Sequence, residues 1–335
     1  MDIGQKGHIF GIPCTPEQAK IVLLPVPWDV TVSYREGTAL GPQAVLDASS
    51  QLDVFHPDMP DFQNIGVTML PISKEWLNKR NRYRPQALKI IEALEKGQSP
   101  ADIPPTQYQE INTVCEELMN SIQISSAPLL EKGKWVGLVG GDHSVSLGLC
   151  RAISERVPEF GVLQIDAHMD LRPAYEGFVY SHASIMRHIS ALSSVKTLVQ
   201  VGVRDFSSEE YQFASYSNGK IFSFPDFELR QNQFEGTSWK KSCERIVEPL
   251  PSCVYISFDI DGLQRYLCPN TGTPVPGGLD FSEAMFLIRE VARSGRKIIG
   301  FDVVEVGPSE TEWDGNVGAR ILFHLCGFMA KSQGK

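Results

Sequence analysis

Six short apolar runs, rich in valine and isoleucine, recur along this chain of 335 residues. They are IVLLPVP (21–27), KWVGLVGG (134–141), FGVLQIDAH (160–168), VKTLVQVGV (195–203), CVYISFDID (253–261) and RKIIGFDVVEV (296–306). A strand with one wet face alternates apolar and polar residues, whereas these runs are nearly continuous and need cover on both faces. Stretches with helical apolar spacing lie between them, at 109–124, 144–156 and 281–294. The last follows Asp280, an N-cap with Glu283 three residues on. Strands buried on both sides and alternating with helices predict a three-layer α/β/α fold around a central parallel sheet. The reading is one domain over 1–335, with a helical and loop insertion at 72–106. That insertion holds a basic helical piece followed by the proline-containing QSPADIPPTQ, and reads as a solvated surface helix plus linker, with a lid or subunit contact as the alternative. Residues 207–242 read as surface connections with one weak strand near IFSF.

Charge and cysteine content exclude several classes. The formal net charge is -9 and no basic stripe stands out, so nucleic acid is not an expected partner. Seven cysteines, an odd number without a CxxC pair, exclude a disulfide framework and a zinc knuckle. No run reaches the ~18 apolar residues of a membrane span. The opening MDIGQKGHIF has no basic stretch followed by an apolar one, so no signal peptide is expected and the chain reads as soluble and cytoplasmic.

Three polar clusters sit where the strands should end, and ligand sites in parallel α/β sheets gather outside the carboxyl ends of strands. GGDHS puts His143 at the tip of a glycine turn. DAHMD carries Asp166, His168 and Asp170 at alternate positions, which face one way in an extended segment. SFDID does the same with Asp259 and Asp261. Carboxylates crowded on apolar strands are costly unless paired or bound to metal. Two histidines and four aspartates suffice for two divalent cations, and this donor set suits Mn²⁺, with Ni²⁺, Co²⁺ or Fe²⁺ also compatible. Paired cations can hold a bridging hydroxide, so the reaction class implied is hydrolysis.

In this order the motifs GGDHS, DAHMD and SFDIDG resemble the ureohydrolase family of arginases and agmatinases, from SYREGTALGPQAVLDAS (33–49) to FDVVEVGP (301–308). The resemblance implies a single arginase-like α/β domain, a dimanganese centre, trimeric or hexameric assembly, and cleavage of a small guanidinium substrate to urea and an amine. The six residues above match the metal ligands, with Asp166 and Asp259 at the positions that bridge or share the ions. His182, in YSHAS, matches a proton-shuttling histidine, Glu305, in DVVEVGP, a guanidinium-gripping glutamate, and Asp170 a holder of the nucleophile's proton. The loop DLRPAYEGFVYSHASIM is closest to agmatinases, implying agmatine conversion to putrescine in polyamine metabolism. Glu176 would suit a cationic tail there, while Arg172 would bind a substrate carboxylate or pair with Glu176. Guanidinobutyrase, arginase, guanidine hydrolase and formiminoglutamase activities stay open, as does a non-catalytic oligomeric member. Gln264-Arg265 stands where the family commonly has Asp-Pro, and Asn270 where it commonly has glycine, a position whose left-handed turn asparagine tolerates.

Overall fold

The computed structural model describes residues 5–334; the first four residues of the stretch read for a leader lie outside them. Eight strands form one sheet: β1 (Ile21–Pro25), β2 (Val67–Met69), β3 (Trp135–Val139), β4 (Phe160–Ile165), β5 (Val195–Val201), β6 (Ile221–Phe224), β7 (Cys253–Asp259) and β8 (Lys297–Val304). Their order is β2-β1-β3-β8-β7-β4-β5-β6. Every pairing is parallel. Ten α-helices are described: α1 (Gly41–Ser49), α2 (Lys74–Glu95), α3 (Pro105–Glu131), α4 (Ser146–Ser154), α5 (Ile185–Ser190), α6 (Ser208–Ser215), α7 (Asp226–Phe234), α8 (Trp239–Val247), α9 (Phe281–Arg293) and α10 (Trp313–Ser332).

Strand alternation divides the core into two layers. Val254, Ile256 and Phe258 of β7 join one apolar cluster with Val45 of α1, Ile246 of α8, Leu287 of α9 and Ile321 of α10. Tyr255, between them, joins the other cluster with Ile90 of α2, Leu118 of α3, Leu149 of α4 and Ile185 of α5. This explains why the strand sequences read as continuous apolar runs.

The expected strands are all present; β3 and β4 end before the polar clusters that follow them, and β7 ends on Asp259. α3 is longer than the periodicity indicates, because Pro105 at its first position presets helical φ without removing an internal hydrogen bond. The loop expected through 106 therefore stops at Pro104. α9 starts as read, with Asp280 and Glu283 forming a reciprocal capping box. Residues 207–242 are a correction: they hold three helices, α6 to α8, besides the strand at IFSF. These helices are short: Ser207 and Ser238 cap α6 and α8, Pro225 precedes α7, and α8 carries its apolar face on Cys243, Ile246 and Val247.

Leu163 of β4 is fully buried in the first cluster. Leu163→Ala is expected to cost about 2–5 kcal/mol, read as a lower urea midpoint at unchanged slope.

Candidate metal centre and pocket

The carboxyl ends of β3, β4, β7 and β8 meet in the middle of the sheet. After β3, Gly141 passes so close to Trp28 that a Cβ would lie 1.8 Å from its carbonyl oxygen, so only glycine fits. Asp142 accepts from the amide and hydroxyl of Ser144, which fixes the turn and presents His143. The His143 ring is held from behind. Its Nε2 lies 2.8 Å from Ser257 Oγ, and that oxygen lies 3.0 Å from both carboxylate oxygens of Asp302. Tyr255 also donates to Asp302, at 2.6 Å. Ser257 has one proton and gives it to Asp302, so it accepts from His143 Nε2–H, leaving Nδ1 as a bare lone pair.

That Nδ1 faces Asp166 Oδ2 at 2.9 Å, Asp170 Oδ2 at 3.0 Å and Asp259 Oδ2 at 3.4 Å. It is buried and makes no hydrogen bond with any of them. A second grouping forms beside it. His168 Nδ1 lies 3.2 Å from Asp261 Oδ2 and 3.4 Å from Asp166 Oδ1. The two oxygens of Asp166 thus belong to different groupings, His143–Asp166–Asp170 and Asp166–His168–Asp261, each with ligand atoms within 4.8 Å of one another. Either could hold a cation.

The convergence arises differently from simple strand alternation. Asp170 turns inward because its backbone is left-handed, at φ 55°. Asp261 lies in a 3-10 turn, Ile260–Gly262, and faces His168 while Asp259 faces His143. Asp259 Oδ1 accepts the Asp261 amide at 2.9 Å, and its Oδ2 faces His143.

The charge balance is strongly negative. Burial, then the charges of Asp261 and Asp166, hold Asp259 well above the usual carboxylate range. Burial and Asp166 push Asp170 up to about 6. Burial opposes charge on His143, but the carboxylates of Asp166, Asp170 and Asp259 that face Nδ1 outweigh it and raise the imidazole well above its ordinary value. This surplus, with a buried lone pair at its centre, fits cations.

A cavity of about 380 Å³ opens above the centre. Glu305 follows β8 in a left-handed conformation, φ 61°, a strained backbone of the kind found at ligand clamps. Its Oε1 accepts the His143 amide at 3.0 Å, while Oε2 is buried without a partner. Gly272 leaves room there, since a Cβ would come 3.0 Å from that oxygen. Burial and Asp261 push Glu305 up to about 8. His182 lies opposite, with Nδ1 3.6 Å from Glu305 Oε1 and Nε2 3.4 Å from Ser33 Oγ. Burial lowers its pKa, which favours the neutral ring.

The mouth departs from the sequence reading. Arg172 lines it but approaches Glu210, at 3.6 Å, rather than Glu176. Glu210 is the capping residue of α6 and also accepts the Leu171 amide, so it ties this loop to the helix. Glu176 does not line the cavity; it is half-buried beyond it, and burial lifts its carboxyl. Arg35 and Arg265 add two further cations at the mouth, and Asp205 an exposed carboxylate. Gln264 reaches Asp280 at the start of α9 instead of the cavity. Asn270 is not left-handed: its amide and side chain both bond to Asp314 of α10. The sequence reading missed the supports, namely Ser257, Asp302 and Gln164, which donates to Asp166 Oδ2 at 2.8 Å. Their signal was present as polar residues inside apolar strand runs. It also missed Arg204, which donates to five carbonyls, among them Asp261, Val275 and Pro276, and so fastens the mouth segment 273–276 beside the centre.

The class defined by this fold and centre is a parallel α/β protein with adjoining histidine–aspartate groupings under a substrate-sized cavity. The Arginase family profile matches residues 19–327. The chain is 31% identical over 330 residues to N(1)-aminopropylagmatine ureohydrolase of Thermus thermophilus, covering 97% of this chain and 96% of that one. It is 28% identical to agmatinase of Bacillus subtilis, covering 98% and 99%. Among solved structures, proclavaminate amidino hydrolase from Streptomyces clavuligerus superposes with a TM-score of 0.74 at 24% identity, covering 97% of each chain. The chain belongs to the arginase family, binuclear-metal hydrolases that act on guanidino C–N bonds.

Ser257→Ala removes the hydroxyl that fixes His143 and leaves Asp302 short of a donor. Retention of divalent cation should fall about 10–100-fold, read by equilibrium dialysis against a metal buffer.

Proposed function

We propose that this chain hydrolyses a small guanidino compound to urea and an amine, with agmatine to putrescine as the leading reaction. The observation that carries the reading is the convergence of the histidine–aspartate centre, the unpartnered Glu305 Oε2 and His182 on one cavity. The relatives named as agmatinase and aminopropylagmatine ureohydrolase support it. We read residues 1–335 as one domain, working as a cytoplasmic homo-oligomer, a trimer or hexamer, in polyamine metabolism. Among the described residues no helix is long and apolar enough to cross a membrane.

His143, Asp166, Asp170 and Asp259 would hold one cation, and Asp166, His168 and Asp261 the other, Mn²⁺ being the ion that suits these donors best, with Ni²⁺, Co²⁺ or Fe²⁺ compatible. When bound, paired divalent cations supply positive charge to the reacting centre and lower the pKa of water toward neutrality. The chain's own groups do the rest. Glu305 Oε2 accepts an N–H of the planar guanidinium and aims its carbon at the centre. Asp170 takes the proton of the attacking water. His182, a buried imidazole at the cavity wall, relays a proton to the departing amine nitrogen, one ring nitrogen giving its N–H as the other takes up a proton from solvent.

One observation favours a second substrate. Arg35, Arg172 and Arg265 line the mouth, and Asp205 and Glu210 are its carboxylates, Glu210 already engaged by Arg172. Such a mouth suits a carboxylate tail, as in 4-guanidinobutyrate, better than a second cation. Urea release from agmatine, N(1)-aminopropylagmatine, arginine and 4-guanidinobutyrate decides. Agmatine should be turned over; activity on 4-guanidinobutyrate with none on agmatine overturns the agmatine assignment in favour of the acid.

The ligand assignment has its own test. Asp259→Ala should abolish activity and bound metal together, measured by urea assay and elemental analysis, and a fully active, metal-replete variant would refute the centre.

A further inference from the structure

The helix α2 belongs to the insertion that reads as a solvated surface element, yet two of its arginines are turned inward. Arg80 and Arg84 sit four residues apart, on one face. Arg84 is only 4% exposed. Its Nη1 donates to the carbonyls of Val30 and Val32, at 3.0 and 2.7 Å, and its Nε to Glu36 at 3.2 Å. Arg80 donates through Nε and Nη2 to the two oxygens of Asp29. Asp29 is fully buried and also accepts the amides of Gly37 and Ala39. The backbone from 29 to 39 is therefore gripped at both ends and in the middle. The ungripped stretch contains Ser33, Tyr34 and Arg35, all lining the cavity. Ser33 Oγ lies 3.4 Å from His182 Nε2. Buried guanidinium donors are placed on carbonyls and carboxylates only when the site is built around them.

We propose that α2 is a brace for the pocket mouth, with Arg84 and Arg80 as positioning residues that hold Ser33 against His182. The brace rests on the guanidino-hydrolase reading for the role of His182, but not for its mechanics. A lysine cannot replace Arg84, because one ammonium cannot reach two carbonyls and a carboxylate in the fixed fork geometry of a guanidinium.

The test uses the metal-loaded full chain and five variants: Ser33→Ala, Ser33→Thr, Arg84→Lys, the double variant Ser33→Ala/Arg84→Lys, and Arg82→Ala as an exposed control on the same helix. Losing one hydrogen bond to the proton-relaying ring should lower kcat about tenfold, with KM little changed. Ser33→Ala and Arg84→Lys should both show this at unchanged metal content, Ser33→Thr should recover it, and Arg82→Ala should leave it intact. The double variant should be no slower than Ser33→Ala, because both changes act through one contact. In one further variant, Arg80→Lys, which loosens Asp29, hydrogen exchange at the Gly37 and Ala39 amides should quicken at least tenfold. Unchanged exchange, or additive losses in the double variant, overturns the brace. A parent enzyme inactive on every guanidino compound overturns the function instead, and exchange still decides the brace.

Discussion

Crowded negative charge is the constraint on which this molecule turns. Four aspartates and a glutamate are buried around two imidazoles where four strands end. Such a cluster can persist only if the chain around it is rigid, and if positive charge is supplied. The central strands provide the rigidity. They are covered on both faces, and the cavity opens at their carboxyl ends. Behind the ligand atoms stands a layer of neutral donors. Ser257, Tyr255 and Gln164 satisfy the buried oxygens and fix the ring of His143 before any substrate arrives. Strain adds to this at two positions: Asp170 and Glu305 both hold left-handed backbones, and both face the cavity.

The same architecture separates chemistry from choice of substrate. The centre is built from strand ends, whereas the mouth is built from loops joined to helices: Arg172 to α6 through Glu210, Gln264 to α9 through Asp280, and the 29–39 stretch to α2. Loops of this kind can be altered without disturbing the ligands beneath them. The arginines at the mouth, Arg35, Arg172 and Arg265, stand on such loops.

Most of the fold and the centre were legible in the sequence, for a physical reason. A parallel sheet covered on both sides must be written in continuous apolar runs, and a polar residue at the end of such a run has few explanations. His143, Asp166, His168, Asp170, Asp259 and Asp261 stood out that way and do converge. Their backbone was not legible. Alternation along a strand suggested convergence on one point, but the left-handed turn at Asp170 and the 3-10 turn at Asp261 distribute the ligands over two. Long-range ion pairs were least legible of all. Nothing local says that Arg172 meets Glu210 and not Glu176, or that Arg84 reaches backbone fifty-odd residues earlier. Such pairings are set by how helices dock, which residue spacing does not encode.

The shared carboxylate of Asp166 has a thermodynamic consequence. Its two oxygens are covalently one group, so turning it toward His143 also turns it for His168. Occupancy of the two groupings is therefore linked: a cation that orders Asp166 at one changes affinity at the other, and by the same factor in the reverse direction. Two ions held this way would load as a coupled pair, and their binding curve would carry the signature of linkage instead of two independent isotherms.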